Sequence, residues 1–282
     1  MRHVLLLTAS IACGSPSPSS SSPASDAPAS DAPITDSIDA LAGGGALVLP
    51  PLNAELDYQL GGAYTPPSGV GIVSRDRTAS PADGLYSICY INGFQIQPGE
   101  ESLWRQPVDL ILKDASGTPV IDTDWAETLI DVSTPDKRSA VAAIIGGWID
   151  DCHRAGFSAI EIDNLDSYSR STGLLTEDDA VATMHLFAQR AHAASMAIAQ
   201  KNSSELVPRK AELGTDFVVA EECNRYTECD AYRAGYGDHV LVIEYRREDF
   251  TKGCSAYPGL SIVLRDRDLV PAGAAGYVFD GC

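Results

Sequence analysis

The chain has 282 residues, is 44% hydrophobic and carries a formal net charge of -19 with a pI near 4.4. That length and apolar content allow one large domain, or two small ones, around a substantial core. A field of that sign repels phosphate, which excludes a nucleic-acid partner and leaves cationic or neutral ones.

The N-terminus reads as an export signal over residues 1–13. Arg2 and His3 precede an apolar run, 4–9, that is too short to span a bilayer. Small residues before Cys13, with Gly14 after it, resemble a bacterial lipoprotein cleavage site, although Ser10 stands where Leu is usual. Membrane attachment through a lipidated Cys13 therefore stands beside simple secretion as a bacterial localisation. Residues 14–45 are largely Ser, Pro, Ala and Asp and lack the apolar surface to offset chain entropy, so they read as a disordered tether. Residues 1–50 hold one Lys/Arg and four Asp/Glu, so -16 of the charge belongs to the remainder.

The domain expected over 46–282 begins with brief apolar runs at 55–60, 70–73 and 85–91, each bounded by turn residues, the pattern of buried strands. An irregular stretch follows from 97 to about 133. Thr134-Pro135-Asp136 supplies a capping hydroxyl, a first-turn Pro and an acid for the dipole. Val141, Ile145, Trp148 and Cys152 then mark one helical face up to Gly156. A strand at 158–163, a helix opened by Thr176 and Asp179, and a strand at 196–200 come next. Short helical segments near 203–213 and 230–236 separate strands at 217–220 and 239–243, and a last strand is expected at 260–264 before a small apolar tail at 276–279.

Eight strands alternating with helices predict a (β/α)8 TIM-type barrel in a single domain, with an open doubly wound sheet as the alternative. Neither GxGxxG after a strand nor GxxxxGK[ST] occurs, and GxSxG is also missing. Six cysteines remain after Cys13. Cys223 lies near Cys229, and Cys254 with Cys282 could tie down the tail, but spacing does not fix the pairing. No CxxC or His/Cys cluster suggests zinc, so neither metal nor cofactor is expected.

The chemistry-bearing signal is at the strand ends. Asp76, Asn92, Asp163 with Asn164 and Asp166, Lys201 with Asn202, Glu221 with Glu222, Glu244 and Arg265 each follow a strand directly, and Asp57 lies within the first. Parallel strands would bring these side chains to one rim, where α/β barrels place their sites. Paired carboxylates there suit glycoside hydrolysis, one protonated and one ionised. Asn202 and Tyr168 could orient sugar hydroxyls, and Trp104 or Trp125 could stack on a ring. The bland reading is a rim of salt bridges, with Arg75, Asp76, Arg265 and Asp266 in one structural network.

Several motifs together resemble glycoside hydrolase family 114: Leu56-Asp57-Tyr58-Gln59-Leu60-Gly61-Gly62, Ile88-Cys89-Tyr90-Ile91, Glu161-Ile162-Asp163-Asn164-Leu165-Asp166-Ser167-Tyr168, Gln200-Lys201-Asn202, Glu221-Glu222-Cys223 and Val242-Ile243-Glu244-Tyr245. The resemblance covers roughly 46–282 and implies a (β/α)8 barrel that hydrolyses an α-1,4-linked, galactosamine-containing polysaccharide. It implies Asp163 and Glu221 as the catalytic pair, with Glu222 the alternative to Glu221. Asp57, Asp76, Asn92, Asn164, Asp166, Tyr168, Lys201, Asn202, Glu222, Glu244, Tyr245 and Arg265 are then expected to bind substrate. The expected partner is a cationic polysaccharide, and the protein is expected to be a monomer. A non-catalytic, envelope-tethered carbohydrate-binding barrel is the alternative function.

Overall fold

The computed structural model describes residues 47–105 and 108–282, so the export signal and the linker lie outside the described residues. In chain order the first elements are β1 (Glu55–Gln59), β2 (Val70–Asp76), β3 (Tyr86–Asn92), β4 (Gln95–Ile96), β5 (Ile121–Asp122), β6 (Glu127–Leu129) and α1 (Pro135–Ala155). Then come β7 (Ala159–Asp163), α2 (Ser167–Arg170), α3 (Glu177–Ala193), β8 (Ala197–Lys201), α4 (Lys210–Leu213) and β9 (Phe217–Glu221). The chain finishes with α5 (Cys223–Tyr226), α6 (Cys229–Tyr236), β10 (Val240–Glu244), α7 (Arg247–Ala256), β11 (Ser261–Arg265) and β12 (Phe279–Gly281).

Strands β1, β2, β3, β7, β8, β9, β10 and β11 pair side by side in sequence order, all parallel. β1 packs against β11, which brings the sheet round into the (β/α)8 barrel that the strand–helix alternation predicts. The short antiparallel β12 pairs with β11 and also lies against β1, where a side chain at Gly281 would collide with that of Glu55.

Alternation along the strands sorts the core into two layers. Leu56, Tyr58, Ile72, Ile88, Ala159, Ala197, Ala199, Phe217, Val219, Leu241, Ile243 and Val263 fill the barrel. Their neighbours face outward, Ile160, Ile162 and Ile198 toward α1 and α3, and Val218, Ala220, Val242, Ile262 and Leu264 in a second cluster with α6 and α7. The helix signals form as read. Thr134 caps α1 by accepting from the Lys137 amide, Gly156 ends it at φ 96°, and Thr176 with Asp179 makes a reciprocal capping box on α3.

The stretch read as irregular is ordered differently. It carries β5 and β6, which with β4 just before it make the small antiparallel sheet β4–β6–β5, whose strands are too short to leave a periodic pattern. Trp104 is fully buried there, edge-on to Trp148 with ring centroids 5.8 Å apart, so it is not a sugar platform. Among the described residues the disulfides are Cys89–Cys152, Cys223–Cys229 and Cys254–Cys282. The first joins β3 to α1, and the last holds the chain end to α7.

Candidate active site

The residues at the carboxyl ends of the strands continue the barrel-filling parity. Asp163 follows Ala159 and Glu161, Lys201 follows Ala197 and Ala199, and Glu221 follows Phe217 and Val219. Tyr245 extends the Leu241–Ile243 row, Tyr90 follows Ile88, and Tyr58 follows Leu56. Inside the barrel the small Ala159, Ala197 and Ala199 leave depth for polar side chains above them. These side chains line a cavity of about 460 Å³ together with Trp125, Glu127, Asn164, Asp166, Arg170, Asn202, Arg267 and Asp268. A second lobe of about 430 Å³ shares Trp125, Asp166, Asn202, Glu221, Tyr245 and Arg267 with the first and adds Glu205, Glu222, Tyr226 and Glu228. Together the lobes form one cleft across the rim at the carboxyl ends of the strands.

At the centre stands Lys201, 2% exposed, with Nζ 3.3 Å from Asp163 Oδ1, 3.4 Å from Glu221 Oε2 and 3.1 Å from Glu161 Oε1. It also donates to the Tyr58 hydroxyl at 2.9 Å. Asp163 accepts further hydrogen bonds from Tyr90 Oη at 2.6 Å and from the Asn164 amide at 2.8 Å. Glu221 accepts from Tyr245 Oη and, at 3.1 Å, from Asn202 Nδ2, while its own amide donates to Asn202 Oδ1 at 2.8 Å. Asp163 and Glu221 keep 20% and 27% side-chain exposure, so both open into the cleft. Because their oxygens lie 3.3 Å and 3.4 Å from one nitrogen, they are at most the sum of those distances, 6.7 Å, apart. That bound admits the separation of about 5–5.5 Å that a retaining geometry uses.

The electrostatics separate the acids. Burial pushes the Asp163 carboxyl up, but the Lys201 ammonium and the hydrogen bonds from Tyr90 and Asn164 outweigh it and hold the group below the usual aspartate range. Burial raises Glu161 despite Lys201 and the hydroxyls of Tyr58 and Ser74, which donate to it at 2.6 Å and 2.8 Å. Burial opposes the charge on Lys201, yet Asp163, Glu221, Tyr58 and Glu161 raise its pKa well above normal. Desolvation also lifts Glu127, on the cleft wall.

The turns after the strands are left-handed. Asn164, Asn202 and Glu222 take φ of 62°, 48° and 56°. Asn adopts this region readily, whereas Glu does so at some cost. At Glu222 the turn sends the side chain away from Lys201 to Arg225 at 2.6 Å and Arg267 at 3.8 Å. Of the two adjacent glutamates, it is Glu221 that shares the ammonium with Asp163.

Among the other residues expected at the site, Asn164, Asp166, Asn202, Glu222 and Tyr245 line the cleft. Asp166 is held by Arg170 at 2.6 Å, and Tyr168 lies beside the cleft, donating to Glu205 at 2.5 Å. Several expected substrate contacts are corrected by burial. Lys201 lines the central cavity but is almost fully buried, its ammonium taken up by the carboxylates. Asn92 lies a layer behind, donating to Glu127 at 2.8 Å and accepting from Asn164. Glu244, on the outward parity of β10, accepts from the amide and Nδ2 of Asn224 and so anchors the loop that carries α5. Asp57 and Arg265 are fully buried at the seam between β11 and β1. Asp76 accepts from Thr78 in its own turn. Among the described residues, no group of three or more His, Cys, Asp or Glu is disposed to hold a metal ion.

Tyr58, Tyr90, Trp125, Glu127, Arg267 and Asp268 line the cleft although residue-type reasoning passed over most of them. Parity is the signal that finds the two tyrosines, since each sits one strand step above an inward aliphatic residue.

The glycoside-hydrolase family GH114 model matches residues 39–282. A search of curated proteins finds no match. Among solved structures, the chain is similar to Aspergillus fumigatus Ega3 in complex with galactosamine, with a TM-score of 0.65 at 22% identity, covering 84% of this chain and 98% of that one. It is also similar to the glycoside hydrolase domain of PelA from Pseudomonas aeruginosa, with a TM-score of 0.53 at 15% identity over 78% of this chain and 98% of that one. These likenesses carry the barrel fold, and the family match over most of the chain carries the chemistry: the protein belongs to glycoside-hydrolase family GH114 and is a glycosidase.

Proposed function

We propose that the protein is exported and cleaves an α-1,4-linked, galactosamine-containing polysaccharide with retention of configuration, using Asp163 as nucleophile and Glu221 as acid and base. The observation that carries this reading is the pair of cleft-facing carboxylates held within 3.4 Å of one buried ammonium. Asp163 is the better nucleophile because Lys201, Tyr90 and the Asn164 amide all stabilise its ionised form. In the first step Glu221 gives its proton to the glycosidic oxygen, the bond from the anomeric carbon to that oxygen breaks, and an Asp163 oxygen bonds the anomeric carbon. In the second, Glu221 takes a proton from water, the water oxygen displaces Asp163, and both side chains return to their starting states.

The acid-lined cleft supports a cationic polymer. Glu127, Glu205, Glu228 and Asp268 all line it, and amine-bearing sugars are protonated near neutral pH. The galactosamine in the Ega3 complex points the same way. Three disulfides suit an oxidising compartment, in keeping with the export signal read at 1–13.

The test incubates the wild type, Asp163→Asn and Glu221→Gln with polygalactosamine. Reducing ends and the anomeric configuration of the first-formed product are followed by proton NMR. Wild-type cleavage with retained configuration, and losses of at least about 1,000-fold in both variants, are expected. Inverted product, or full activity in either variant, removes the assignment, and binding without cleavage by the wild type identifies a carbohydrate-binding barrel instead.

A further inference from the structure

We infer that Lys201 is a positioning residue that serves as the shared counterion of both catalytic carboxylates, paired in turn with whichever of Asp163 and Glu221 is ionised. This rests on the two-carboxylate reading above. The distances of 3.3 Å and 3.4 Å place the ammonium almost midway between the two acids. It is also pinned from below. Tyr58 and Ser74 fix Glu161, Glu161 fixes Lys201 at 3.1 Å, and the rings of Tyr58 and Tyr90 flank Nζ at 5.4 Å and 5.7 Å.

The charge count explains why one ammonium suffices. In the two-step cycle proposed above, Asp163 starts ionised and Glu221 starts with the proton, while Glu161 stays paired with Lys201, Tyr58 and Ser74 throughout. In the glycosyl–enzyme, Asp163 is a neutral ester and Glu221 has given up its proton. Each stage thus sets one ionised catalytic carboxylate beside the same ammonium, so the negative charge moves from β7 to β9 while its counterion stays in place. A fixed charge that needs no reorganisation between steps is the form of electrostatic stabilisation that enzymes exploit most. The other two cations lining the central cavity cannot play this part. Arg170 is taken up by Asp122 and Asp166, and Arg267 lies by Glu222 and over Trp125.

The groups that face Lys201 are Tyr58 from β1, Tyr90 from β3, Glu161 and Asp163 from β7, and Glu221 from β9, with Tyr245 behind Glu221. Two substitutions change this set in opposite directions. Lys201→Met removes the cation at similar length, and Glu161→Gln removes the competing anion at equal size. The test follows the Asp163 side-chain carboxyl by carbon-13 NMR pH titration in the wild type and both variants. It is paired with pH profiles of kcat and KM on polygalactosamine. In Lys201→Met, Asp163 is expected to titrate at higher pH, kcat to fall at least about 100-fold and KM to change less than about threefold. In Glu161→Gln, Asp163 is expected to titrate at lower pH. A purely packing role moves neither titration, and an unmoved Asp163 in both variants overturns the inference. If Lys201→Met does not fold, the direction in Glu161→Gln decides. If the titrations move as expected but the wild type cleaves no polymer, the counterion pairing stands and the polysaccharide reading falls.

Discussion

Arg265, at the end of β11, donates through Nη1 to the backbone carbonyl of Tyr58 in β1 and reaches Asp57 Oδ1 at 3.3 Å. A side chain thus fastens the last parallel strand to the first, which pack together without sharing a ladder. The chain of contacts continues across β1, from Asp57 to Gln59 at 2.7 Å and from Gln59 to Arg75 at 2.9 Å. Replacing Arg265 with Met strands a buried carboxylate, and breaking a buried pair in this way costs about 3–5 kcal/mol. Urea unfolding of Arg265→Met should show that loss as a lower midpoint.

Asp163 links the site to acid stability. Its native pKa lies below the ordinary value, so its contribution to stability is present above the unfolded-state pKa of about 4 and is lost as pH falls through the lower native value. Thermal unfolding of the wild type and Asp163→Asn should therefore differ near pH 7, with the wild type the more stable, and the difference should shrink as the pH is taken down toward 3. The same depression places the acid limb of kcat/KM below the range of an ordinary aspartate.

The left-handed turn at Glu222 gives two adjacent glutamates different partners, Lys201 for Glu221 and Arg225 with Arg267 for Glu222. Glu222→Gln should keep activity within about tenfold of the wild type, because its carboxylate is spent on Arg225 and Arg267, whereas Glu221→Gln should lose about two orders of magnitude more. Parallel assays of the two purified variants against one polymer preparation check this contrast.

Trp125 sits on the β5–β6 turn, 60% exposed, and lines both lobes of the cleft. An indole in this place offers a stacking face to a sugar ring, worth about 1 kcal/mol. Trp125→Ala should raise KM about fivefold on long chains and leave the thermal midpoint unchanged, which differential scanning calorimetry and steady-state kinetics together establish.

The barrel was legible because its strands are continuous apolar runs and its main helices carry strong caps at Thr134 and Thr176. The β4–β6–β5 sheet was not, since runs of two or three residues hold no period and their pairing is set by distant partners. In the site, the residue types at strand ends pointed to Asp163 and Glu221, but type alone also nominated Asp57, Glu244 and Arg265. Asp57 and Glu244 occupy the outward parity of their strands, one residue from the inward Tyr58 and Tyr245. Arg265 shares the inward parity of Val263, yet the seam with β1 takes up its guanidinium. Lys201 stands at a strand end as read, but its burial by three carboxylates is a tertiary fact that no local pattern encodes.

The contact between Gly281 and Glu55 has an engineering consequence. It sets the final strand beside the opening of the first, so a short linker can join them and the polypeptide can be reopened elsewhere, for example at the exposed turn around Gly117. Such a circular permutant would put its new ends on the β4–β6–β5 insertion while retaining the run from β7 to β10, which carries Asp163, Lys201 and Glu221, as one uninterrupted stretch.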